Sequence, residues 1–164
     1  MASHVAHRSA VALACLLAAL AGCGRGDPEP GPRTAAPSEP TSTQFGDFEL
    51  HYNAIRTDVV SPEVARTYGI ARSSHRVLLN VSLLHRNPDG TTTPADATVT
   101  ASAYNLNGQL KELTMRRITE GSSVYFIGEV GISGTEILVF DISAVPAGQS
   151  EKFAVQFKRE FYTD

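Results

Sequence analysis

His51, Tyr52, Tyr68 and Arg72 are the side chains of this sequence best suited to build a site. An imidazole can give or take a proton near neutral pH. A phenol pairs an apolar ring with a polar tip, and a guanidinium grips carboxylates or phosphates with a planar fork. Together they would line a groove for a ligand or a protein partner. A plainer role is open to the same residues, with Tyr52 and Tyr68 packing in a core or under a helix and Arg72 pairing with Asp47 or Glu63. Catalysis finds less material. Beyond the first 43 residues the chain carries His51, His75 and His85 but no cysteine. It therefore has no thiolate ligand, no disulfide and no helical His spacing, and no metal is expected. There is no Gly-x-Ser-x-Gly elbow. The glycine-rich stretch GEVGISG, 128–134, joins two strands without a following helix, so it reads as a turn or bulge rather than a phosphate loop.

The elements that must position these groups are short and turn-punctuated. In FELHYNAI (48–55), Phe48, Leu50 and Tyr52 alternate with Glu49, His51 and Asn53, the period of a half-buried strand. HRVLLNVSLLHR (75–86) is apolar at Val77, Leu79, Val81 and Leu83, with further leucines on its opposite face, which predicts a strand covered on both sides. NPDG (87–90) is a turn. ATVTASAYNL (97–106) runs into an Asn107-Gly108 hairpin turn, and LKELTMRRI (110–118) is expected as the return strand. VYFIGEV (124–130), TEILVFDI (135–142) and EKFAVQFKREFY (151–162) follow, the last with Phe153, Val155, Phe157 and Phe161 on one face. A single helix interrupts the set: Ser61 can cap it, Pro62 fits its first turn and Gly69 can end it. Seven strands and one short helix predict an all-β fold, an antiparallel immunoglobulin-like β-sandwich, with a closed barrel as the alternative.

Ahead of this domain lies a different kind of sequence. Residues 9–22 are 14 uncharged, mostly apolar positions, spanning about 21 Å as a helix and too short for a ~30 Å hydrocarbon core. That is the length of a signal-peptide core. It ends in Leu20-Ala21-Gly22-Cys23, which resembles the bacterial lipobox, with Cys23 as the lipid attachment point; an ordinary secretory leader is the plainer reading. Two or three acyl chains, at about 0.8 kcal/mol per buried methylene, anchor firmly where one does not. Gly24 after the cysteine resembles the pattern of outer-membrane lipoproteins. Residues 24–43 hold five prolines and three glycines with no Leu, Ile, Val, Met or aromatic. Such a stretch cannot offset its ordering entropy by burial, and at about 3.1 Å per residue it reaches at most ~60 Å. The expected organisation is thus a leader at 1–22, a lipidated tether at 23–43 and a sandwich at 44–164.

Charge narrows the partners. The 164 residues carry a net charge of −3, and loss of the leader removes only Arg8, leaving 13 basic against 17 acidic residues. A nucleic-acid binder needs a basic stripe to neutralise phosphates, so none is expected here. The expected location is the bacterial cell envelope, anchored by N-terminal acyl chains and facing the periplasm at the outer membrane. The expected role is binding, or accessory to an unknown envelope protein, without cofactor or enzyme activity. A small enzyme with a site near His51 and Arg72, or a structural spacer, are the alternatives.

The stretch from Phe45 to Leu83 carries the most distinctive residues: Phe45-Gly46-Asp47, His51-Tyr52-Asn53, Pro62-Glu63-Val64-Ala65, Tyr68-Gly69, Arg72 and Asn80. It resembles the proteobacterial envelope family of domain of unknown function 4426. That resemblance implies a compact, secreted all-β domain with one short helix and no established activity, cofactor or catalytic residue.

Overall fold

The computed structural model describes residues 41–163. The expected leader, the Cys23 attachment point and the tether up to residue 40 lie outside them. In chain order the strands are β1 (Ser42–Phe45), β2 (Phe48–Arg56), β3 (Arg76–Arg86), β4 (Thr92–Ala95), β5 (Ala97–Asn105), β6 (Leu110–Lys111), β7 (Arg116–Glu120), β8 (Ser123–Gly131), β9 (Glu136–Pro146) and β10 (Phe153–Phe161). The helix α1 (Pro62–Tyr68) lies between β2 and β3. One antiparallel sheet has the order β1-β2-β3-β8-β7 with β4 also paired to β3; the other has the order β10-β9-β5-β6. The fold is an all-β sandwich.

Alternation does what the sequence requires. Leu50, Tyr52 and Ala54 of β2 and Val77, Leu79, Val81 and Leu83 of β3 are buried between the sheets. Phe140 of β9 and Phe153, Phe157 and Phe161 of β10 meet them from the other side. Rings interlock across the layers, with Phe45 on Phe153 at 4.7 Å and Tyr52 on Phe157 at 5.0 Å between centroids. The second face of β3 is covered too, because Leu78 packs with Ile127 under Ala65 of α1, flanked by Val60 and Ile70.

The helix is set by local chemistry. Ser61 Oγ accepts from Val64 N at 3.2 Å, Pro62 occupies the first turn, and Gly69 closes the helix in the left-handed region at φ 61°. There a side chain would be strained, and glycine is not. Past the helix, the buried Thr57 hydroxyl donates to Ala71 O at 2.8 Å and accepts from Ser73 N at 2.9 Å, pinning the return loop.

Three strands were not anticipated. β1 opens at Ser42, so Ser42 and Thr43 belong to the sheet and not to the tether. β4 forms from the threonine run after the NPDG turn. The predicted return strand 110–118 is two strands in different sheets, β6 and β7, joined by residues 112–115 crossing the side of the sandwich. Leu113 and Met115 of this crossover pack against the core. The crossing needs space: a Cβ on Gly128 would stand 2.7 Å from Leu113 Cδ1, 2.8 Å from Met115 Sδ and 3.1 Å from Thr114 O.

On the side opposite the crossover the layers are stitched by two arginines. Arg159 of β10 donates to Ala54 O and Asn53 Oδ1, both at 2.6 Å, and Arg56 of β2 donates to Tyr162 O at 2.6 Å. The carbonyl at Ala54 is thereby occupied where β1 no longer covers β2.

Candidate functional site

The outward face of the six-stranded sheet carries the side chains that alternate with the core set: His51 and Asn53 on β2, Leu78, Asn80 and Ser82 on β3, Tyr125 and Ile127 on β8, Ile118 and Glu120 on β7. Helix α1 covers one end of this face. Two hollows remain beside it. The first, about 190 Å³, is lined by Thr41, His51, Tyr52, Asn53, Asn80 and Ser82. The second, about 160 Å³, is apolar and runs between Val64 and Tyr68 of the helix and Ile118, Tyr125 and Ile127 of the sheet, with Glu120 at its rim. Asn80 lines both.

Asn80 lies in β3 directly opposite Asn53 of β2 and Ile127 of β8. Its Oδ1 is buried and, among the described residues, receives no hydrogen bond. A carboxamide oxygen has two lone pairs, and leaving it dry costs about 1–3 kcal/mol. His51 pairs across the ladder with Ser82. Its Nε2 lies 3.4 Å from Glu49 Oε1, and Glu49 Oε2 lies 3.7 Å from Arg86 Nη2. The His51–Glu49 contact is electrostatic only, for His51 Nε2 is also buried without a hydrogen-bond partner. The polar hollow thus holds two unfilled hydrogen-bonding atoms.

At the apolar end, Tyr68 is partly buried. Desolvation, followed by a hydrogen bond and charge from Glu120, raises its phenol above the usual range. The phenol therefore stays a neutral donor across the physiological range. The Arg116 guanidinium bonds the Tyr68 backbone carbonyl and ties the C-terminus of α1 to β7.

Of the four residues singled out in the sequence, His51 and Tyr68 stand on this face on either side of Asn80. The Tyr52 ring turns into the core, where its hydroxyl meets Thr43 Oγ1 at 3.2 Å. Arg72 does not reach the groove; its Nη2 donates to Asp58 O at 2.5 Å, bracing the loop after α1 against the 3-10 turn Thr57–Val59. Its partner is thus a carbonyl and not Asp47 or Glu63. Asn80 was missed as a site residue, although its signal was present: a carboxamide between Leu79 and Val81 on a strand expected to be covered on both faces.

A larger hollow, about 510 Å³, opens beside the crossover and is lined by Arg76, Lys111, Arg116, Glu112 and Glu129 among others. Its charges are largely committed to nearby groups. Arg76 lies 3.5 Å from Glu129, Lys111 lies 2.7 Å from Glu136, and Arg116 holds the helix. His75 bonds Ser74 and His85 bonds Asn87. Among the described residues no three His, Cys, Asp or Glu side chains are grouped to hold a metal, and no helix is long and apolar enough to cross a membrane.

Comparison with known proteins agrees with this architecture. A solved structure of a DUF4426 family protein from Pseudomonas aeruginosa PAO1 is 31% identical, with a TM-score of 0.64 over 75% of this chain and 94% of that one. FetP of uropathogenic Escherichia coli strain F11, expressed in the periplasm, is 12% identical with a TM-score of 0.51 over 74% of this chain and 92% of its own. A copper-bound single-substitution variant of FetP gives 0.52 at 12% identity, over 73% and 93% of the two chains. At that identity the likeness to FetP establishes a shared fold alone. A comparison with curated proteins finds no match. The model of a domain of unknown function, DUF4426, matches residues 42–164, and the chain belongs to that family.

Proposed function

We propose that this domain is a binding module of the bacterial envelope, held to a membrane through Cys23 and acting by capture and not by catalysis. Its site is the groove on the outward face of the six-stranded sheet, from His51 and Ser82 across Asn80 to Tyr68 and Tyr125. The observation that carries this reading is the buried, unpartnered Asn80 Oδ1 at the junction of a polar and an apolar compartment. A protein retains such an atom at a cost in stability, and a ligand that donates to it recovers that cost on binding. The chemistry fitted is an apolar group with an N–H or O–H donor at its edge, offered by a segment of an envelope protein. The apolar part enters between Val64, Tyr68 and Tyr125, and the donor meets Asn80. The lipobox-like Leu20-Ala21-Gly22-Cys23, with Gly24 after it, supports a periplasm-facing location at the outer membrane.

A photoreactive residue at position 64 tests this, because Val64 is 43% exposed at the groove rim. In intact cells it is expected to give a discrete adduct identifiable by mass spectrometry. The same residue at Ser143, on the outward face of the other sheet, is expected to give none. Equal labelling at both positions, or none at either, overturns the assignment.

A further inference from the structure

The opposite sheet has an edge that is covered over only part of its length. β5 pairs with β9 along its whole length, Ala97 to Asn105, but β6 covers its other edge only at Ala103 and Tyr104. Among the described residues, 97–102 have no strand partner on that side. An antiparallel ladder turns every second N–H and C=O outward, so this stretch offers open hydrogen-bonding groups, apart from Ala97 N, which donates to Asp96 Oδ1 at 2.9 Å.

Four other edges are protected. β4 contains Pro94, β7 starts with Arg116 and Arg117, β10 carries Lys158 and Glu160, and the uncovered end of β2 is capped by Arg159. Proline, charge and covering groups are the usual defences of an edge. Ala97-Thr98-Val99-Thr100-Ala101-Ser102 contains no charge, no proline and no glycine, and the Asp96 carboxylate covers it only at its start, at Ala97 N.

The order of its residues identifies the occupant. Ala97-Thr98-Val99-Thr100-Ala101 reads identically in both directions about Val99. We propose that this edge pairs with a second copy of itself, antiparallel, with a two-fold axis at Val99. Ala97 then faces the partner's Ala101, Thr98 faces the partner's Thr100, and Val99 faces the partner's Val99. Every cross-strand pair joins side chains of equal size. The exposed Thr98 and Thr100 form threonine pairs, a favourable cross-strand combination. Ala97, Val99 and Ala101 point inward, where they already pack against the core. The two four-stranded sheets become one continuous sheet. The window also fits: β6 closes it beyond Ser102, and Asp96 leads away into β4, leaving room for about five residues or ~17 Å of ladder. Such an isologous contact closes on itself and stops at a dimer.

Register-specific disulfide formation tests this in the full chain. The described residues contain no cysteine, and the parent chain with only Cys15 and Cys23 sets the background. Directly opposed Cβ atoms lie about 4.5–5.5 Å apart and diagonal ones farther, at roughly 7–8 Å or somewhat less, while a disulfide needs about 3.5–4.5 Å. Co-expressed Thr98→Cys and Thr100→Cys chains are expected to give an oxidised dimer at least about fivefold above either variant alone. Equal yields, or no dimer from the mixed pair, overturn the pairing. Independently, the double variant Thr98→Lys with Thr100→Lys sets ammonium groups opposite one another across the axis. With its circular dichroism unchanged, it is expected to sediment as a monomer where the parent chain sediments as a dimer. A parent chain that stays monomeric at every concentration, or a lysine variant that stays dimeric, overturns the proposal.

Discussion

Replacing Asn80 with leucine should make this protein more stable while abolishing its groove chemistry. Leucine has nearly the shape of asparagine, and on the side of the apolar hollow it would meet Ile127 across the ladder and Leu78 on the same face, although Asn53 stands across the other ladder. The substitution deletes a buried acceptor without a partner, worth about 1–3 kcal/mol. It also adds apolar contact at roughly 25 cal/mol per Å² removed from water. A net gain of about 1–3 kcal/mol is expected for Asn80→Leu. In urea it would appear as a higher midpoint with an unchanged slope, because the surface exposed on unfolding hardly changes. Asn80→Asp keeps the shape but buries a charge in the same place, and should lose more than 1 kcal/mol, by about the cost of an uncompensated polar group. The pair separates the two roles open to this residue. A scaffold carboxamide satisfied by its surroundings would make the leucine variant less stable, by about 1 kcal/mol or more, and that result would refute the reasoning. A site carboxamide makes it more stable and silent in capture from position 64, the usual trade between stability and function.

Further outcomes follow from other parts of the fold. Gly128→Ala should cost about 1–3 kcal/mol by forcing the crossover off β8, whereas Gly131→Ala, which has nothing within 4 Å of its Cβ position, should be neutral within about 0.5 kcal/mol; equal denaturation midpoints would show that the crossover is not seated there. Desolvation works to raise Glu136, but hydrogen bonds from Lys111, Asn105 and Ser133 outweigh it, so its pKa lies below the ordinary 4.5. Stability from such a carboxylate is complete above the unfolded value and disappears as pH falls through the folded one. The advantage of the parent over Glu136→Gln, about 1–3 kcal/mol at neutral pH, should therefore shrink as pH falls below 4.5, and a constant difference in acid would exclude the effect. Cys23→Ala should move the chain from the membrane pellet to the soluble fraction, and retention in the pellet would remove the proposed anchor.

The fold was legible where a single strand carries its own instructions. Alternation in 48–55 and 75–86 assigned core and outward faces residue by residue, and the extra leucines of 75–86 announced a cover that proved to be α1. Ser61, Pro62 and Gly69 delimited that helix through strictly local chemistry. The segment 110–118 could not be read in this way. Leu113 and Met115 alternate with polar neighbours whether they continue a strand or cross between sheets. What selects the crossing is the absent side chain at Gly128, a remote position that no local period reports. β1 and β4 escaped notice because STQF and TTPA have loop-like compositions and become strands only through the ladders of β2 and β3. For the site, parity placed His51 outward and the helix brought Tyr68 to the same face. Tyr52 followed its strand into the core, as its position opposite His51 in the alternation requires. Asn80 matters because its oxygen ends up buried without a protein partner among the described residues, and that depends on what α1 and β2 place around it.

The arginine stitches also bear on how a newly made chain acquires its shape. Ala54 and Arg159 are separated by 105 residues, and Phe153, Phe157 and Phe161 reach the interior only with the final strand. Until that strand emerges, Phe48 and Tyr52 of β2 lack the rings they pack against, and the sandwich stays open along that side. Folding is thus a property of the completed polypeptide, dominated by distant pairings and correspondingly slow. A product shortened before Phe153 would display apolar strand surface to chaperones and proteases instead of adopting a smaller version of the same domain.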